Sequence, residues 1–340
     1  MTKRRITIAI DCMGGDFAPH ELVKGAISGG REHQVDVLLV GAPEAIQKEL
    51  AQLDVQGVKF EIIPASQTID MAESPGSAIR KKKDASVVVA SQCVAKGQAQ
   101  GLVAVGNTGA AMAAALFNMG RIEGIDRPAI AVVLPTTAKN PAILIDAGAN
   151  ADCIPEMLIQ FAKMGGIFVE SVLRVKNPRV GLLNIGEEYS KGNTFSLSTY
   201  KLLESHEGLQ FVGNIEGKHL FDGSADVIVC DGFTGNVALK TAEGVGKMVM
   251  KIFKDEAGQS LRAKAGALLV KSAMKKVKRK VSDEEFGGAL LLGVKGICVI
   301  GHGGSNAYAV QNAIRVAKEA IEQDVIAKIE SKVAQACVVP

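Results

Sequence analysis

The chain has 340 residues, of which 47% are hydrophobic and 22% are charged, so it can bury a large core and is not intrinsically disordered. Its formal net charge is only +3 and its aromatic content only 4%, which argues against a nucleic-acid surface built from many cations and stacked rings. No apolar run approaches the ~20 residues that a membrane-spanning helix needs. We therefore expect a globular protein with no nucleic-acid partner.

Ten short aliphatic runs follow one another along the chain, and most of them lead into a glycine-rich turn and a helical stretch. Because successive positions are apolar, both faces of each predicted strand are expected to be buried, as in a parallel sheet covered by helices on both sides. The sequence predicts an α/β fold, an α/β/α sandwich with a mostly parallel sheet, in a single domain over residues 1–340. The runs are residues 6–10, 35–40, 58–63, 101–105, 129–134, 142–145, 180–183, 209–212, 227–230 and 297–300.

The cysteines and histidines give no sign of a metal site, because no CxxC pair and no paired-histidine spacing occurs. The basic start precedes an apolar run that ends at Asp11, which is too short for the hydrophobic region of a signal peptide. We expect reduced, buried thiols, no metal or cofactor, and a cytoplasmic protein. The cysteines are Cys12, Cys93, Cys153, Cys230, Cys298 and Cys337.

Six of the turns after these runs are rich in glycine, asparagine, aspartate and threonine. In parallel sheets, ligands bind beyond the carboxyl ends of the strands, where helix N-termini present free N–H groups. The sequence therefore predicts one anion-binding crevice lined by these turns, whereas any one of them taken alone is more typical of an ordinary turn or helix cap. The candidate substrate- and phosphate-binding residues are Asp11, Gly14, Gly15, Asn107, Thr108, Gly109, Asp146, Asn150, Gly192, Asn193, Asp231, Thr234, Gly235, His302, Gly303 and Ser305.

Two side chains in these turns carry more chemistry than a cap requires. Lys191 precedes a Gly-Asn helix start, where a point charge added to backbone donors suits phosphate. Asn236 follows another such turn, and an asparagine amide aimed at a developing oxyanion stabilises acyl transfer. A solvated loop lysine remains an equal interpretation of Lys191.

Familiar nucleotide-binding motifs are absent or incomplete in the sequence. No GxxxxGK[ST] loop occurs, and the turn at residues 301–306 resembles GxGxxG but has Asn306 in place of the third glycine. No strand follows it to supply a ribose-binding carboxylate. A dinucleotide-binding function therefore has weak support.

Residues 262–280 contain eight lysines and arginines and no acid, with apolar residues at helical spacing. We expect a projecting basic amphipathic helical segment over residues 258–292, whose cations suit an acidic protein partner or an anionic membrane. A solvated helix face is the alternative. The candidate carrier- and membrane-contacting residues are Lys271, Lys275, Lys276, Lys278, Arg279 and Lys280.

Taken in order, these motifs resemble the bacterial phosphate acyltransferases, the acyl-carrier-protein:phosphate transacylases of phospholipid synthesis. The resemblance runs from residue 6 to about residue 325, and Cys12 stands where the family more often has alanine. The motifs that carry it are residues 11–16, 106–110, 125–129, 146–150, 181–188, 191–193, 231–236 and 302–306.

The resemblance implies a fold similar to isocitrate and isopropylmalate dehydrogenases and shared with phosphotransacetylases. It implies transfer of a long-chain acyl group from acyl carrier protein to inorganic phosphate, giving acyl phosphate for the acylation of glycerol 3-phosphate. On this basis Lys191 is expected to hold phosphate and Asn236 to donate to the thioester oxygen. The family also implies a homodimer, and a membrane acyltransferase that receives the product from a peripherally bound enzyme.

Three other functions remain open at this point. A phosphotransacetylase-like enzyme would use acyl-CoA instead of the acyl carrier protein. An NAD-dependent β-decarboxylating dehydrogenase of the same fold would need a metal-binding aspartate cluster, whose spacing is not evident. A non-catalytic scaffold that binds carrier protein at the membrane would use the basic segment alone and leave the turns without a purpose.

Overall fold

The computed structural model describes residues 5–281 and 283–336, and its strands form one eleven-stranded sheet. The predicted runs at Gly101–Val105, Ala129–Leu134 and Ala142–Ile145 have the predicted bounds, and the other seven differ only at their ends. The strands are β1 Thr7–Asp11, β2 Asp36–Gly41, β3 Phe60–Pro64, β4 Gly101–Val105, β5 Ala129–Leu134, β6 Ala142–Ile145, β7 Arg179–Asn184, β8 Gln210–Glu216, β9 Val227–Val229, β10 Ala289–Leu292 and β11 Ile297–Gly301.

The sheet reverses direction near its middle. Its strand order is β3-β2-β1-β4-β11-β10-β5-β6-β9-β7-β8. The pairs β11–β10, β10–β5 and β5–β6 are antiparallel, and the other seven pairs are parallel. Strands β6, β7, β8 and β9 therefore run opposite to β1, β2, β3, β4 and β11.

Helices cover both faces of this sheet, as predicted. Alternate side chains of one strand enter different cores: Ile8 and Ile10 of β1 lie in one apolar cluster and Ala9 lies in another. The described helices are α1 His20–His33, α2 Pro43–Leu50, α3 Pro75–Lys81, α4 Ser86–Ala95, α5 Thr108–Met119, α6 Pro155–Ser171, α7 Thr194–Ser205, α8 Gly232–Gly258, α9 Leu261–Val281, α10 Asp283–Phe286, α11 Ala307–Glu322 and α12 Val325–Ala336.

One face is covered by α1, α6, α11 and α12, which pack against one another in a continuous layer, and the other face carries α4 and α5. Both faces of the central strands are consequently dry, which explains their uninterrupted aliphatic sequences. The cysteines Cys12, Cys93, Cys230 and Cys298 are buried and free, as expected, whereas Cys153 is half-buried and Cys337 lies outside the described residues.

The basic segment forms a helical hairpin arm but ends differently from the prediction. Helix α9 follows α8 after two residues and packs against α8 and α10. The end of the predicted segment, Ala289–Leu292, is strand β10 in the middle of the sheet and does not project. Four apolar residues flanked by glycine are the whole of the strand signal in that part of the sequence.

The side chains of Lys271, Lys275 and Lys276 are exposed on α9, and those of Lys278, Arg279 and Lys280 lie outside the described part of the chain. Across residues 5–281 and 283–336, no helix is both long enough and apolar enough to cross a membrane.

Candidate active site

The reversal of the sheet separates the predicted site residues into two groups. Strands β1, β4 and β11 end on one side of the sheet, which we name the Asp11 end, and β6, β7 and β9 end on the other, the Lys191 end. The strands between the two ends are about 17 Å long for five residues. The expected single crevice is therefore wrong for this chain, because its six turns cannot all line one opening.

The Asp11 end holds nine of the candidates and the Lys191 end the other nine. At the Asp11 end are Asp11, Gly14, Gly15, Asn107, Thr108, Gly109, His302, Gly303 and Ser305. At the Lys191 end are Asp146, Asn150, Lys191, Gly192, Asn193, Asp231, Thr234, Gly235 and Asn236.

At the Asp11 end, the side chain of Asn107 is occupied by hydrogen bonds within the fold. The Asn107 side chain accepts the N–H of Ala110 at 3.0 Å, capping α5. Its amide nitrogen donates to the carbonyls of Asp70 at 3.0 Å and Glu73 at 3.1 Å. Asn107 therefore ties the segment before α3 to the start of α5 and keeps no donor for a ligand.

In the turn after β11, Ser305 and His302 also form hydrogen bonds within the protein. The Ser305 hydroxyl donates to the carbonyl of His302 at 2.7 Å, and His302 Nδ1 accepts the N–H of Gly304 at 3.2 Å. Gly14 packs so closely that a Cβ there would lie 2.0 Å from the carbonyl oxygen of Val105. These contacts assign glycine at this end to close packing between turns.

Asp11 is the one strongly perturbed acid of this end. Its carboxylate accepts the N–H of Met13 at 3.1 Å, and its side chain is almost fully buried. Burial raises the pKa of Asp11 to about 6, against hydrogen bonds from Ser86, Met13 and Gly14 that lower it. The buried acid therefore titrates close to neutral pH.

At the Lys191 end, Asp146 organises the turn after β6. Its fully buried carboxylate accepts the N–H groups of Ile130 at 3.0 Å, Gly148 at 3.0 Å and Ala149 at 2.9 Å. It also accepts the backbone N–H of Asn150 at 2.7 Å and the Asn150 side-chain amide at 2.9 Å. Burial raises the pKa of Asp146, and these bonds oppose that rise. Asp146 and Asn150 thus shape the turn rather than face a ligand.

The first turn of α8 docks directly onto that turn. A Cβ at Gly235 would lie 2.0 Å from the carbonyl oxygen of Asp146, and a Cβ at Gly232 would lie 2.6 Å from that of Asn150. The Gly232 N–H donates to the Asn150 carbonyl at 2.7 Å. Only glycine permits this approach, which fixes where α8 begins.

Asn236 projects from this first turn of α8. A Cβ built on Gly148 would lie 3.5 Å from the Asn236 side-chain amide carbon, so the amide stands against the turn after β6. Asp231 caps the helix by accepting the Thr234 N–H at 2.8 Å and its hydroxyl at 2.7 Å. Within the described chain the exposed Asn236 amide has no hydrogen-bond partner, so it is free to bind a ligand.

Lys191 lies in the loop 185–192 between β7 and α7. The Asn184 amide donates to the Lys191 carbonyl at 3.1 Å, and Asn193 caps α7 through the Ser196 N–H at 2.9 Å. The stem of Lys191 crosses Gly186, where a Cβ would lie 2.7 Å from Lys191 Cγ. The Lys191 side chain is exposed, and its amino group pairs with no group among the residues described.

Strands β7 and β9 are hydrogen-bonded neighbours, so the turns that carry Lys191 and Asn236 lie side by side. The N-termini of α7 and α8 face the same end, and each adds a partial positive charge. An ammonium, an amide donor and two helix N-termini together suit an anion and a developing oxyanion.

Two side chains that contact loop 185–192, one from β8 and one from the turn that follows it, were not identified from the sequence. Asn214 of β8 donates to the Glu188 carbonyl at 2.9 Å, and its signal was an asparagine inside an otherwise aliphatic strand. His219 contacts the Glu187 carboxylate at 2.9 Å, and nothing in the sequence pattern distinguishes it.

Solved structures with the same architecture include two phosphotransacetylases. That of Streptococcus pyogenes has a TM-score of 0.63 at 16% identity and covers 94% of this chain and 95% of its own. The EutD phosphotransacetylase of Staphylococcus aureus has a TM-score of 0.60 at 16% identity, covering 93% of this chain and 94% of its own. The chain thus has the phosphotransacetylase fold, an α/β fold with a mostly parallel sheet, which confirms the predicted fold class.

A family model described as fatty acid synthesis protein matches residues 6–328. The phosphate acyltransferase of Synechococcus sp. (strain JA-3-3Ab) is 48% identical over 327 residues, 96% of this chain and 89% of that relative. The phosphate acyltransferase of Pelotomaculum thermopropionicum is 49% identical over 326 residues, 96% of this chain and 94% of that relative. The chain belongs to the phosphate acyltransferase family, as its motifs suggested, and it is an acyltransferase.

We predict that Asp11→Asn stabilises the protein at alkaline but not at acidic pH. A folded-state pKa of about 6 against an ordinary value of 3.8 means that the protonated form favours folding. That contribution is complete below pH 4 and lost as the pH rises through 6, a change of about 3 kcal/mol for two pKa units. Urea unfolding at pH 4 and pH 8 measures it, and an equal difference between variant and parent at both pH values would contradict it.

Proposed function

We propose that this enzyme transfers a long-chain acyl group from acyl carrier protein to inorganic phosphate, releasing acyl phosphate and free carrier. The acyl phosphate then serves the acylation of glycerol 3-phosphate in phospholipid synthesis. The observation that carries the proposal is the pairing of Lys191 and Asn236 at the Lys191 end. Both side chains are exposed, and the described residues offer neither of their polar groups a hydrogen-bond partner.

The chemistry requires no protein nucleophile. Phosphate is an anion at neutral pH, and one of its oxygens forms a bond to the thioester carbonyl carbon while the carbonyl π electrons move to oxygen. Collapse of this tetrahedral intermediate restores the carbonyl and breaks the C–S bond, and the carrier thiolate leaves and takes a proton from water. The protein supplies position and charge.

In this reaction Lys191 binds the phosphate and offsets its charge beside the N-terminus of α7. Asn236 donates its amide N–H to the thioester oxygen as that oxygen becomes negative. The turn at Gly148, against which Asn236 stands, leaves room for the carbonyl because it has no side chain. The buried thiols take no part, since burial raises the pKa of Cys230 and Cys298.

Two alternative functions differ from this proposal. One uses a different acyl donor, and the other involves no reaction. A phosphotransacetylase-like enzyme would accept acyl-CoA, and the likeness of fold is compatible with that donor. A scaffold that only binds carrier protein would have no use for the unpaired Lys191 and Asn236. Incubation with palmitoyl carrier protein or palmitoyl-CoA, with hydroxylamine to trap acyl phosphate, separates the three.

We predict phosphate-dependent hydroxamate with the carrier thioester and little with the CoA ester. Lys191→Ala and Asn236→Ala should each lower kcat/KM by about 100-fold or more, the loss typical of one oxyanion donor. Asn236→Asp should lose as much, because it keeps the shape of the side chain and removes the donor.

Lys201→Ala, at an exposed lysine further along α7, is the matched control and should keep parent activity. Turnover within about threefold of the parent in both Lys191→Ala and Asn236→Ala would rule out these roles. Product with neither donor, but intact carrier binding, would favour the scaffold.

We further propose that α9 docks the acidic carrier protein and brings the enzyme to the membrane surface as a peripheral, cytoplasmic protein. Lys271, Lys275 and Lys276 project into solvent with no acidic residue between them on the helix. Leu268 and Leu269 of the same helix are 69% and 86% exposed, which suits contact with lipid. From the membrane, the product can pass to a glycerol-3-phosphate acyltransferase.

We predict that Lys271→Glu, Lys275→Glu and Lys276→Glu together raise the KM for palmitoyl carrier protein at least tenfold at low salt. The triple variant should also float less with vesicles containing anionic lipid. Lys247→Glu, Lys251→Glu and Lys254→Glu change the charge of exposed residues of α8 by the same amount and serve as the control. Unchanged KM and unchanged flotation in the α9 variant would refute the docking surface.

We also propose that the enzyme is a homodimer joined through α8. Val245, Met248, Val249 and Ile252 lie on one side of the helix at spacings of three and four residues, and each is about half exposed. A continuous apolar stripe of this kind is typical of an interface. A second copy of the chain would cover it with the same stripe about a twofold axis.

We predict that Val245→Glu with Val249→Glu converts the protein to monomers in light scattering coupled to gel filtration. Two buried carboxylates facing two others across a twofold axis would be strongly repelled. Lys247→Glu and Lys254→Glu, at positions on the opposite side of α8, should leave the protein dimeric. A parent that elutes as a monomer would disprove the interface.

A further inference from the structure

The loop that carries Lys191 is held from the side of β8. The Glu188 carbonyl accepts the Lys191 N–H at 3.0 Å and the Asn214 side-chain amide at 2.9 Å. Asn214 is only 6% exposed, so this bond anchors the middle of the loop to a buried position. The outer part of the loop, with Glu187, is held by a second contact.

That second contact is made by His219, in the 3₁₀ turn Gly217–His219 that follows β8. Its Nε2 lies 2.9 Å from Glu187 Oε1, and its Nδ1 contacts the Asp222 carboxylate. Asp222 is itself fixed by the Ser224 N–H at 2.8 Å and by the Ser224 hydroxyl at 2.5 Å. One imidazole therefore bridges the Lys191 loop and a rigid turn outside it.

We propose that His219 is a positioning residue for Lys191, which holds loop 185–192 in the shape that presents the Lys191 amino group to phosphate. The inference rests on the proposed function, because it assigns to Lys191 the binding of phosphate. His219 touches neither phosphate nor the acyl group and acts through Glu187.

The bridge depends on the charge of the ring. Both ring nitrogens face carboxylates, and only the imidazolium donates from both, since a neutral imidazole has one N–H. The hydrogen bond with Asp222 and then that with Glu187 raise the pKa of His219 above its usual value, while His219 lowers the pKa of Glu187. The complete bridge is present below the usual pKa and is lost as the pH rises through the raised one.

The other charges around the ring belong to Lys218 and its partners. Lys218 Nζ lies 3.5 Å from Glu187 Oε1 and 3.1 Å from Glu216 Oε2. Lys218 stays charged through neutral pH, so its pairing with Glu187 persists when His219 loses its proton. The pH-dependent part of the contact is therefore the bond between His219 and Glu187.

The test is the KM for phosphate in His219→Gln and His219→Arg, measured from pH 6 to pH 8.5. At pH 6, His219→Gln should raise this KM about two- to fivefold, the range of an exposed ion pair, and leave the KM for palmitoyl carrier protein unchanged. His219→Arg, with a permanently charged guanidinium, should match the parent at pH 6, and its KM relative to the parent should fall below one by pH 8.5 because the parent loses the charge on His219. Phosphate itself titrates in this range, so each KM is divided by the parent value at the same pH.

His20→Gln is the matched control, because His20 also pairs with a glutamate, Glu49, at 2.7 Å but at the start of α1. An unchanged phosphate KM in His219→Gln, or an equal change in the KM of both substrates, would overturn the assignment while leaving the proposed function intact. A parent enzyme that makes no phosphate-dependent product would overturn the proposed function and this assignment with it.

Discussion

The antiparallel pairing of β5 with β6 decides where the candidate site residues of this protein can lie. Strand β10 is antiparallel to both of its neighbours, so β11 and β5 run in the same direction. Because β6 then runs opposite to β5, the rest of the sheet runs opposite to its first half. Turns that look equivalent along the chain are thereby sent to opposite ends. The Lys191 end receives the turns after β6, β7 and β9, which carry the candidate side chains Lys191 and Asn236.

The two ends also differ in how many of their polar side chains have hydrogen-bond partners within the protein. At the Asp11 end the polar side chains mostly cap helices and bridge loops, as Asn107 does through the carbonyls of Asp70 and Glu73. At the Lys191 end, Asp146 holds the turn after β6 and Asp231 caps α8. Lys191 and Asn236 have no hydrogen-bond partner within the described chain. A turn rich in glycine and asparagine can therefore either hold the fold together or leave a side chain free for a ligand. The hydrogen-bond partners of each side chain distinguish the two cases.

Much of the fold could be predicted from the sequence because parallel strands buried on both faces have unbroken aliphatic sequences, as at Gly101–Val105. Strand β10 was not predicted because four apolar residues after a basic helix show no periodicity of their own, and one of its two partners, β5, is distant in the chain. The antiparallel pairing of the two predicted strands β5 and β6 could not be read from their sequences either, and this pairing is what separates the turns into two groups. Lys191 and Asn236 could be singled out by residue type, whereas Asn214 and His219 could not, since their roles depend on which loop lies across β8.

Helix α8 joins the Lys191 end of the molecule to its arm without a break. Its 27 residues span about 40 Å, with Asn236 in the first turn, and the two-residue link to α9 sends the chain straight back. Lys276 and Lys271 accordingly return to the level of Glu243 and Met248, about 10 to 18 Å along the axis from Asn236. In the proposed docking, the position of the cations along α9 therefore sets how long a tether must be for a carrier-bound thioester to reach the amide of Asn236.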